Sequence, residues 1–349
     1  MKKSFLMLGV AAMALASCTN EEVLNVADSR AISFDNAFVN NSTRSVDPSL
    51  TKANLNDFDV YGFVTNTSSE SSRIFDGVKV FKKDAGWTYD NPQYWVNGNT
   101  YTFGAIAPSG AATVSGEAIT GATNKKVGMT VQFTNTNDAQ KDLLHAAPAA
   151  VPVNSDEYNT AVEMEFNHQL SKVKFSFKNS VGEGYSVKVT DVKIADAMSS
   201  GTLTVSGERE AANAWSSQQG NLELTFGNAV ADDEDDKADA IANGSTNGTY
   251  YEKLMIPTPA TTSYTVTFAA ELIQGTTSVG TFNHSAKIEN VELQLGYSYN
   301  FTAELTAKNI GGPDNPSLNP ITFTVKSVND WTPSSDDQDL DLPAATVEP

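Results

Sequence analysis

The segment at residues 162–177 has the most regular pattern in the sequence. Apart from one histidine, apolar side chains occupy the even positions up to Leu170 and the odd positions from Val173, with polar residues between them. Successive side chains of a β-strand point to opposite faces, so this period of two predicts a strand with one face in a core. The change of phase at Ser171 predicts a β-bulge that returns the apolar side chains to the same face. We therefore expect one long strand near the centre of a sheet.

The same alternation recurs in short runs along the rest of the chain. The runs are rich in Val, Thr, Phe and Tyr, Gly or Asn separates them, and no stretch keeps a sustained helical period. This pattern predicts an all-β protein. A chain of 349 residues is long enough for two hydrophobic cores. We therefore expect two tandem β-sandwich domains, residues 31–180 and 181–333, divided near a polar stretch with glycine, and an acidic tail at 334–349.

The N-terminus predicts export and a lipid anchor. Two lysines precede an apolar run at residues 5–16, which is too short to span a bilayer as a stable helix and is typical of a secretory signal peptide. The run closes with LASC at 15–18, which resembles a bacterial lipobox. We expect residues 1–17 to be a lipoprotein signal peptide, Cys18 to carry the lipid and residues 18–30 to be a tether. The predicted location is the outer membrane, with export to the cell surface.

The net charge argues against two classes of partner, nucleic acids and anionic membranes. The chain has 42 Asp and Glu residues against 23 Lys and Arg residues, a formal net charge of −19 at pH 7. A surface this acidic repels nucleic-acid phosphates and anionic lipid headgroups. We therefore expect no nucleic-acid partner and no electrostatic binding to membranes.

The sequence lacks the residue patterns of common catalytic and metal sites. Its three histidines, His145, His168 and His284, form no His-x-x-x-His pair, and a lipidated Cys18 leaves no cysteine nucleophile. His168 stays in phase with the apolar positions around it, so we expect it to face a core and to hydrogen-bond there. The acidic run at 232–236 lacks the ligand spacing of a calcium loop and is interpreted as solvated charge. The predicted protein is not an enzyme and needs no metal or cofactor.

A short predicted strand lies between two of the four arginines of the chain. The segment AISFDNAFVNNSTRS occupies residues 31–45, directly after Arg30, and Arg44 is its penultimate residue. Three large apolar side chains share one side of this strand: Ile32, Phe34 and Phe38. The residues that follow are polar, which predicts an exposed loop around Arg44.

The order of these landmarks resembles the fimbrillin family, the subunits of lipoprotein-derived pili in anaerobic Gram-negative bacteria. The resemblance covers about residues 1–331 and includes the lipobox, the early strand and the arginine after it. The later landmarks are YTFGAIAP at 101–108, DLL at 142–144, VEMEFNHQLSKV at 162–173, GYSY at 296–299 and VNDW at 328–331. Each motif is short, but their order is specific.

The resemblance implies two transthyretin-like β-sandwiches and a structural role in a cell-surface fimbria or pilus that serves adhesion and biofilms. It also implies that an arginine-specific protease cuts after the first strand. Arg44 best matches that site, and Arg30 is the lesser candidate. Ile32, Phe34 and Phe38 would then belong to a displaced strand, which a strand from another pilus subunit replaces by donor-strand exchange. The implied partners are other subunits, the protease, the outer membrane through the lipid anchor, and a host protein or glycan.

The segment that would replace the first strand stays open at the level of the sequence. One candidate is residues 321–331. After these the chain carries an acidic tail with three prolines, in which only Leu340, Leu342 and Val347 look strand-like. Such a tail departs from the more apolar end that the resemblance implies for a donor strand.

A second functional hypothesis is a surface glycan-binding lipoprotein, in which exposed aromatic side chains stack on sugars. Its candidates are Trp87, Trp95, Trp215 and Trp331. Large aromatic residues of β-sandwiches more commonly fill cores or cover edges.

Overall fold

The computed structural model describes residues 30–39, 50, 54–84, 86–121, 125–156, 158–206, 213–227, 240–246, 252–311 and 321–330. These residues form 21 β-strands and no helix. The predicted all-β fold class is therefore confirmed. Within these ranges, no helix is long and apolar enough to cross a membrane.

The strands range from two to 17 residues in length. The first eleven are β1 (Phe34–Val39), β2 (Asp57–Thr65), β3 (Ser71–Lys83), β4 (Gly86–Thr88), β5 (Thr100–Ala107), β6 (Thr113–Thr120), β7 (Lys126–Thr134), β8 (Leu144–Ala146), β9 (Val151–Pro152), β10 (Val162–His168) and β11 (Ser171–Ser180). The other ten are β12 (Tyr185–Ala197), β13 (Ser200–Val205), β14 (Ala214–Gln219), β15 (Leu222–Thr225), β16 (Ile241–Ala242), β17 (Lys253–Met255), β18 (Thr258–Gln274), β19 (Thr277–Leu293), β20 (Tyr297–Thr306) and β21 (Phe323–Asp330).

The largest sheet has eight strands and curls until its two ends meet. Its order is β1-β10-β8-β5-β2-β3-β4, and β9 pairs with β5 outside this path. The end strands β1 and β4 lie against each other. The concave side encloses a core whose phenylalanines are at most 3% exposed: Phe34, Phe58, Phe75, Phe103 and Phe166. A strand at one end of the sheet therefore completes this core.

A second sheet covers the convex side of the first. Its four strands have the order β14-β13-β7-β6. Ile106 of β5 packs in the core between the two sheets with Val127 and Val131 of β7. Gly104 permits this close approach, because a Cβ atom there would lie 3.0 Å from the Cβ of Val127. These two sheets form the first sandwich.

Two further sheets form the second sandwich. One has the order β17-β11-β20-β21, and the other has the order β15-β12-β18-β19 with β16 beside β12. Phe177 of β11 lies at the centre of the core between them, with its ring centroid 4.8 Å from Phe268 of β18 and 5.8 Å from Phe323 of β21. Two sandwiches in tandem agree with the predicted fold class.

The boundary predicted at residue 180 needs correction. The strand β11, predicted to end the first domain, pairs with β17 and β20 of the second sandwich. The hairpin β13–β14, predicted for the second domain, pairs with β7 of the first sandwich. The physical reason is burial, because Leu203 and Val205 of β13 lie in the same core as Val131. The chain thus enters the second sandwich at Ser171 and returns to the first between β12 and β15.

The predicted bulge at Ser171 is also wrong, because the change of phase marks the crossing between the sandwiches. β10 ends at His168 in the first sandwich, and β11 begins at Ser171 in the second. Gln169 N donates to Leu143 O at 2.8 Å, and Gly296 N donates to Leu170 O at 2.8 Å. β10 buries its even-numbered apolar side chains in the first sandwich, and β11 buries its odd-numbered ones in the second. The change from even to odd positions therefore marks the passage from one core to the other.

A polar loop after β7 joins the two sandwiches. The amide of Gln140 bonds both backbone groups of Leu254 in β17: Nε2 donates to Leu254 O at 2.8 Å, and Oε1 accepts from Leu254 N at 2.9 Å. Asn135 Nδ2 also donates to Leu254 O at 2.9 Å. Since β17 is an edge strand, these side chains satisfy backbone groups that a neighbouring strand would otherwise pair.

Candidate functional site

β1 supplies the side chain at the centre of the first core. Phe34 is 3% exposed, and Ile32 just before the strand is 1% exposed. The Phe34 ring packs edge-to-face on four others, with centroid distances of 6.1 Å to Phe58, 5.7 Å to Phe75, 5.7 Å to Tyr89 and 5.8 Å to Phe103. Removing β1 would therefore remove the ring on which these four pack.

Two walls hold the backbone of this segment. On one side β1 pairs in parallel with β10, and Val162 N donates to Ser33 O at 2.8 Å. On the other side Ile32 N donates to Gln93 O at 2.7 Å, and Tyr89 Oη donates to Ile32 O at 2.7 Å. We call the space that residues 30–39 fill the β1 groove; its walls are β10 and residues 93–95.

The pairing of β1 with β10 is interrupted once. Asp35 lies opposite Glu163 and Phe38 lies opposite Glu165, so a step of three residues in β1 spans only two in β10. This is a β-bulge. Only the backbone of Phe38, the third predicted core-filling residue, is placed; its side chain lies outside the described part of the chain.

Arg30 is tied to the wall of the β1 groove. Its Nη2 donates to Trp95 O at 2.9 Å, and its own carbonyl accepts from Trp95 N at 3.0 Å. Exposed and unpaired backbone is the preferred site of proteolytic nicking, so this contact opposes a cut after Arg30. Arg44 and Cys18 lie outside the described residues, and their roles stay predictions.

The chain beyond Arg44 is held by a separate contact. Leu50 N donates to Asp142 Oδ2 at 2.9 Å, and the same oxygen lies 2.9 Å from His168 Nδ1. The side chains of Asp142 and His168 are buried. The prediction that His168 faces a core is therefore confirmed, and its Nδ1 lies against the Asp142 carboxylate. Asp142 was missed as a site residue, although the DLL motif at 142–144 contains it.

The sequence matches one family model, described as fimbrillin-like, over residues 43–331. The chain belongs to the fimbrillin-like family. The match begins directly before Arg44, so it covers β2 to β21 and excludes β1. No curated protein matches the sequence.

Solved structures similar to this fimbrillin-like chain come from several bacteria. A fimbrial protein from Bacteroides vulgatus has a TM-score of 0.57 and 15% identity, over 87% of this chain and 100% of that chain. A putative cell adhesion protein from Parabacteroides distasonis has a TM-score of 0.46 and 10% identity, over 88% and 97%. The fimbrial anchor protein Mfa2 from Porphyromonas gingivalis has a TM-score of 0.34 and 13% identity, over 86% and 98%. The similarity to the fimbrial protein from Bacteroides vulgatus supports the fold of this chain.

The described tryptophans of this fimbrillin-like chain form no exposed row. Trp95 is 1% exposed, and Trp87 and Trp215 are half-buried. Trp215 Nε1 donates to Gln169 O at 2.9 Å, at the junction of the two sandwiches. These three side chains fill a core or cover an edge, and Trp331 lies outside the described residues.

Among the described residues, no group of three or more His, Cys, Asp or Glu side chains could hold a metal ion. The acidic run at 232–236 and the tail at 334–349 lie outside those residues. The interpretation of the run at 232–236 as solvated charge stays a prediction.

His145 makes the support of the β1 groove sensitive to acid. It lies in β8, opposite Asn167 of β10, and is 4% exposed. Burial, and to a lesser extent the positive charge of Lys126, lowers the pKa of His145 from 6.5 to about 4. The folded state therefore favours the neutral imidazole over a pH range in which an unfolded histidine binds a proton.

We expect His145 to lower the free energy of unfolding by about 3 kcal/mol as the pH falls from about 6.5 to about 4. The sign follows because the unfolded chain binds a proton that the folded chain excludes. Urea unfolding at several pH values in this range measures the loss. The variant His145→Gln should have a flatter pH profile, because it removes the titrating group. Equal profiles for the two proteins would contradict the assignment.

Proposed function

We propose that this chain is a subunit of a cell-surface pilus that assembles by exchange of its first strand. In the uncut chain β1 fills its own groove, so the protein stays a monomer. Cleavage after Arg44 separates the lipidated Cys18 and β1 from the two sandwiches. A strand of a second copy then fills the β1 groove by adding to the edge of β10.

The burial of Phe34 in a strand at the end of a sheet carries this proposal. β1 pairs with one strand in its sheet, yet it supplies the central ring of the first core. A buried side chain of this size stabilises a fold by roughly 1.5–3 kcal/mol. Loss of β1 also leaves backbone N–H and C=O groups of β10 unpaired. An emptied groove would therefore bind another apolar strand strongly.

The contacts of Arg30 support Arg44 as the cleavage site. A cut after Arg30 would leave Ile32 and Phe34 attached to the first sandwich, so the groove would stay filled. A cut after Arg44 detaches both residues. Leu50, which follows the cut, remains bonded to Asp142, so the shortened chain keeps its new N-terminal end in place.

The contacts of β21 argue against its use as the donor strand. Phe323 is 7% exposed, and its ring centroid lies 5.4 Å from Phe175 and 5.8 Å from Phe177. Releasing β21 would expose the second core of one copy while it fills the first core of another. The free energy gained by burying apolar side chains in one core would then nearly cancel the free energy lost in the other. We therefore assign the donor strand to another segment of the neighbouring copy.

The proposal assigns two locations to the chain. Before cleavage it is an outer-membrane lipoprotein at the cell surface, held by the lipid on Cys18. After cleavage by an arginine-specific protease it is part of the pilus. Its partners in the pilus are other subunits, and its role there is adhesion to a host protein or glycan.

Treatment of the purified, lipid-free protein with trypsin tests the proposal. We expect an early cut with a new N-terminus at Ser45, followed by an SDS-resistant ladder of oligomers on unheated gels. An excess of a synthetic peptide of residues 30–39 should allow the cut and suppress the ladder, because the peptide refills the groove. A protein cut at Arg44 that stays monomeric without the peptide would contradict the proposal.

A further inference from the structure

We infer that the strand which replaces β1 occupies the groove in the opposite direction, antiparallel to β10. The inference rests on the proposed function, because it concerns how a second copy of the chain fills the β1 groove. Three features of the groove carry it: the direction of the native pairing, the spacing of the backbone groups of β10, and the shortness of the opposite wall.

The native pairing of β1 with β10 is parallel and irregular. Four of the residues in β1 have a register partner in β10, and the bulge between Asp35 and Phe38 divides them into two separate pairs. Parallel pairs have slanted hydrogen bonds and are slightly less stable per residue than antiparallel pairs. β1 therefore leaves part of the hydrogen-bonding capacity of the β10 edge unused.

The edge of β10 presents evenly spaced backbone groups to the groove. Val162 N already bonds toward β1, whereas Asn167 lies opposite His145 of β8 on the other edge. Because backbone groups alternate between the two edges of a strand, Val162, Met164 and Phe166 face the groove. An antiparallel strand without a bulge can exchange both backbone bonds with each of these three residues.

The wall formed by residues 93–95 is too short to prevent a strand from lying antiparallel to β10. Between residues 30–32 and 93–95 there is one antiparallel bridge, Ala31 with Tyr94, and two backbone bonds. A reversed strand would exchange this short antiparallel contact for a parallel one. β10 pairs over a longer stretch, so β10 determines the direction.

Photo-crosslinking in the assembled polymer measures this direction whichever segment of the neighbour is donated. Two variants, Glu163→Cys and Asn167→Cys, place a photoreactive label near either end of β10. Both carry Cys18→Ser, because Cys18 is the only natural cysteine. Each labelled, lipid-free protein is cut with trypsin, allowed to polymerise and illuminated. Mass spectrometry then identifies the residue of the neighbour that each label captures.

We expect the residue captured from position 163 to have a higher sequence number than the residue captured from position 167. The opposite order would overturn the antiparallel direction and leave the proposed function standing. Uncut protein is the control, in which the label at 163 should capture the region of Asp35 and the label at 167 a residue further along the chain. A polymer in which neither label captures a neighbour would contradict the inference and the proposed function together.

Discussion

Replacing Phe34 by alanine is expected to lower the free energy of unfolding of the uncut protein by about 3–5 kcal/mol. The variant removes a ring that is 3% exposed and packs edge-to-face on four other rings. The cavity it leaves is lined by side chains of several strands, so the sheet cannot close over it without moving its ends. Urea unfolding measures the loss, and the buried Trp95 beside the groove provides a fluorescence signal.

Ser33→Ala is the matched control for this variant. Ser33 lies directly before Phe34 in the chain but outside the buried set, so its effect should stay within about 0.5 kcal/mol. The polymer made from cut Phe34→Ala protein should be as stable as the natural polymer, because the cut removes residue 34. A Phe34→Ala protein as stable as Ser33→Ala before cleavage would mean that β1 does not support the core.

Arg44→Gln should abolish the ladder that an arginine-specific protease induces and leave the protein monomeric. The substitution removes the side chain that an arginine-specific protease recognises, so β1 stays covalently attached and continues to fill its groove. Mass spectrometry of the intact protein measures whether residues 1–44 are retained, and unheated gels measure the oligomers.

Arg30→Gln is the control for this effect and should polymerise as the natural protein does. A cut after Arg30 cannot empty the groove, and the Arg30 backbone is bonded to Trp95. If Arg30→Gln suppressed the ladder and Arg44→Gln did not, the assignment of the cleavage site would be reversed. A ladder from Arg44→Gln protein that retains β1 would show that release of β1 is not required.

The strands of this fold follow from local patterns, but their partners do not. The alternation at 162–177 locates β10 and β11 because each strand buries every second side chain. It does not reveal that they belong to different sheets. The hairpin β13–β14 is harder still, because the residues that bury it, such as Val131, lie far away in the sequence. Partner choice depends on such long-range contacts, which a period of two cannot encode.

The β1 groove was predictable only in part, for a similar reason. Ile32 and Phe34 stand out in the sequence because they form a short apolar strand near the N-terminus. The residues that receive them leave no such signal. Tyr89 bonds Ile32 across 57 positions of the chain, and Asp142 bonds Leu50 across 92. Their roles emerge only when the sheet curls and brings these segments together.

The hairpin β13–β14 has a consequence for any attempt to make the two halves of this chain separately. A gene fragment that ends at residue 180 would encode β7 without β13, and β11 without β20. The complementary fragment would carry an apolar hairpin with no sheet to join. Neither fragment has a complete core, so recombinant antigens or display scaffolds based on this chain need both sandwiches in one polypeptide.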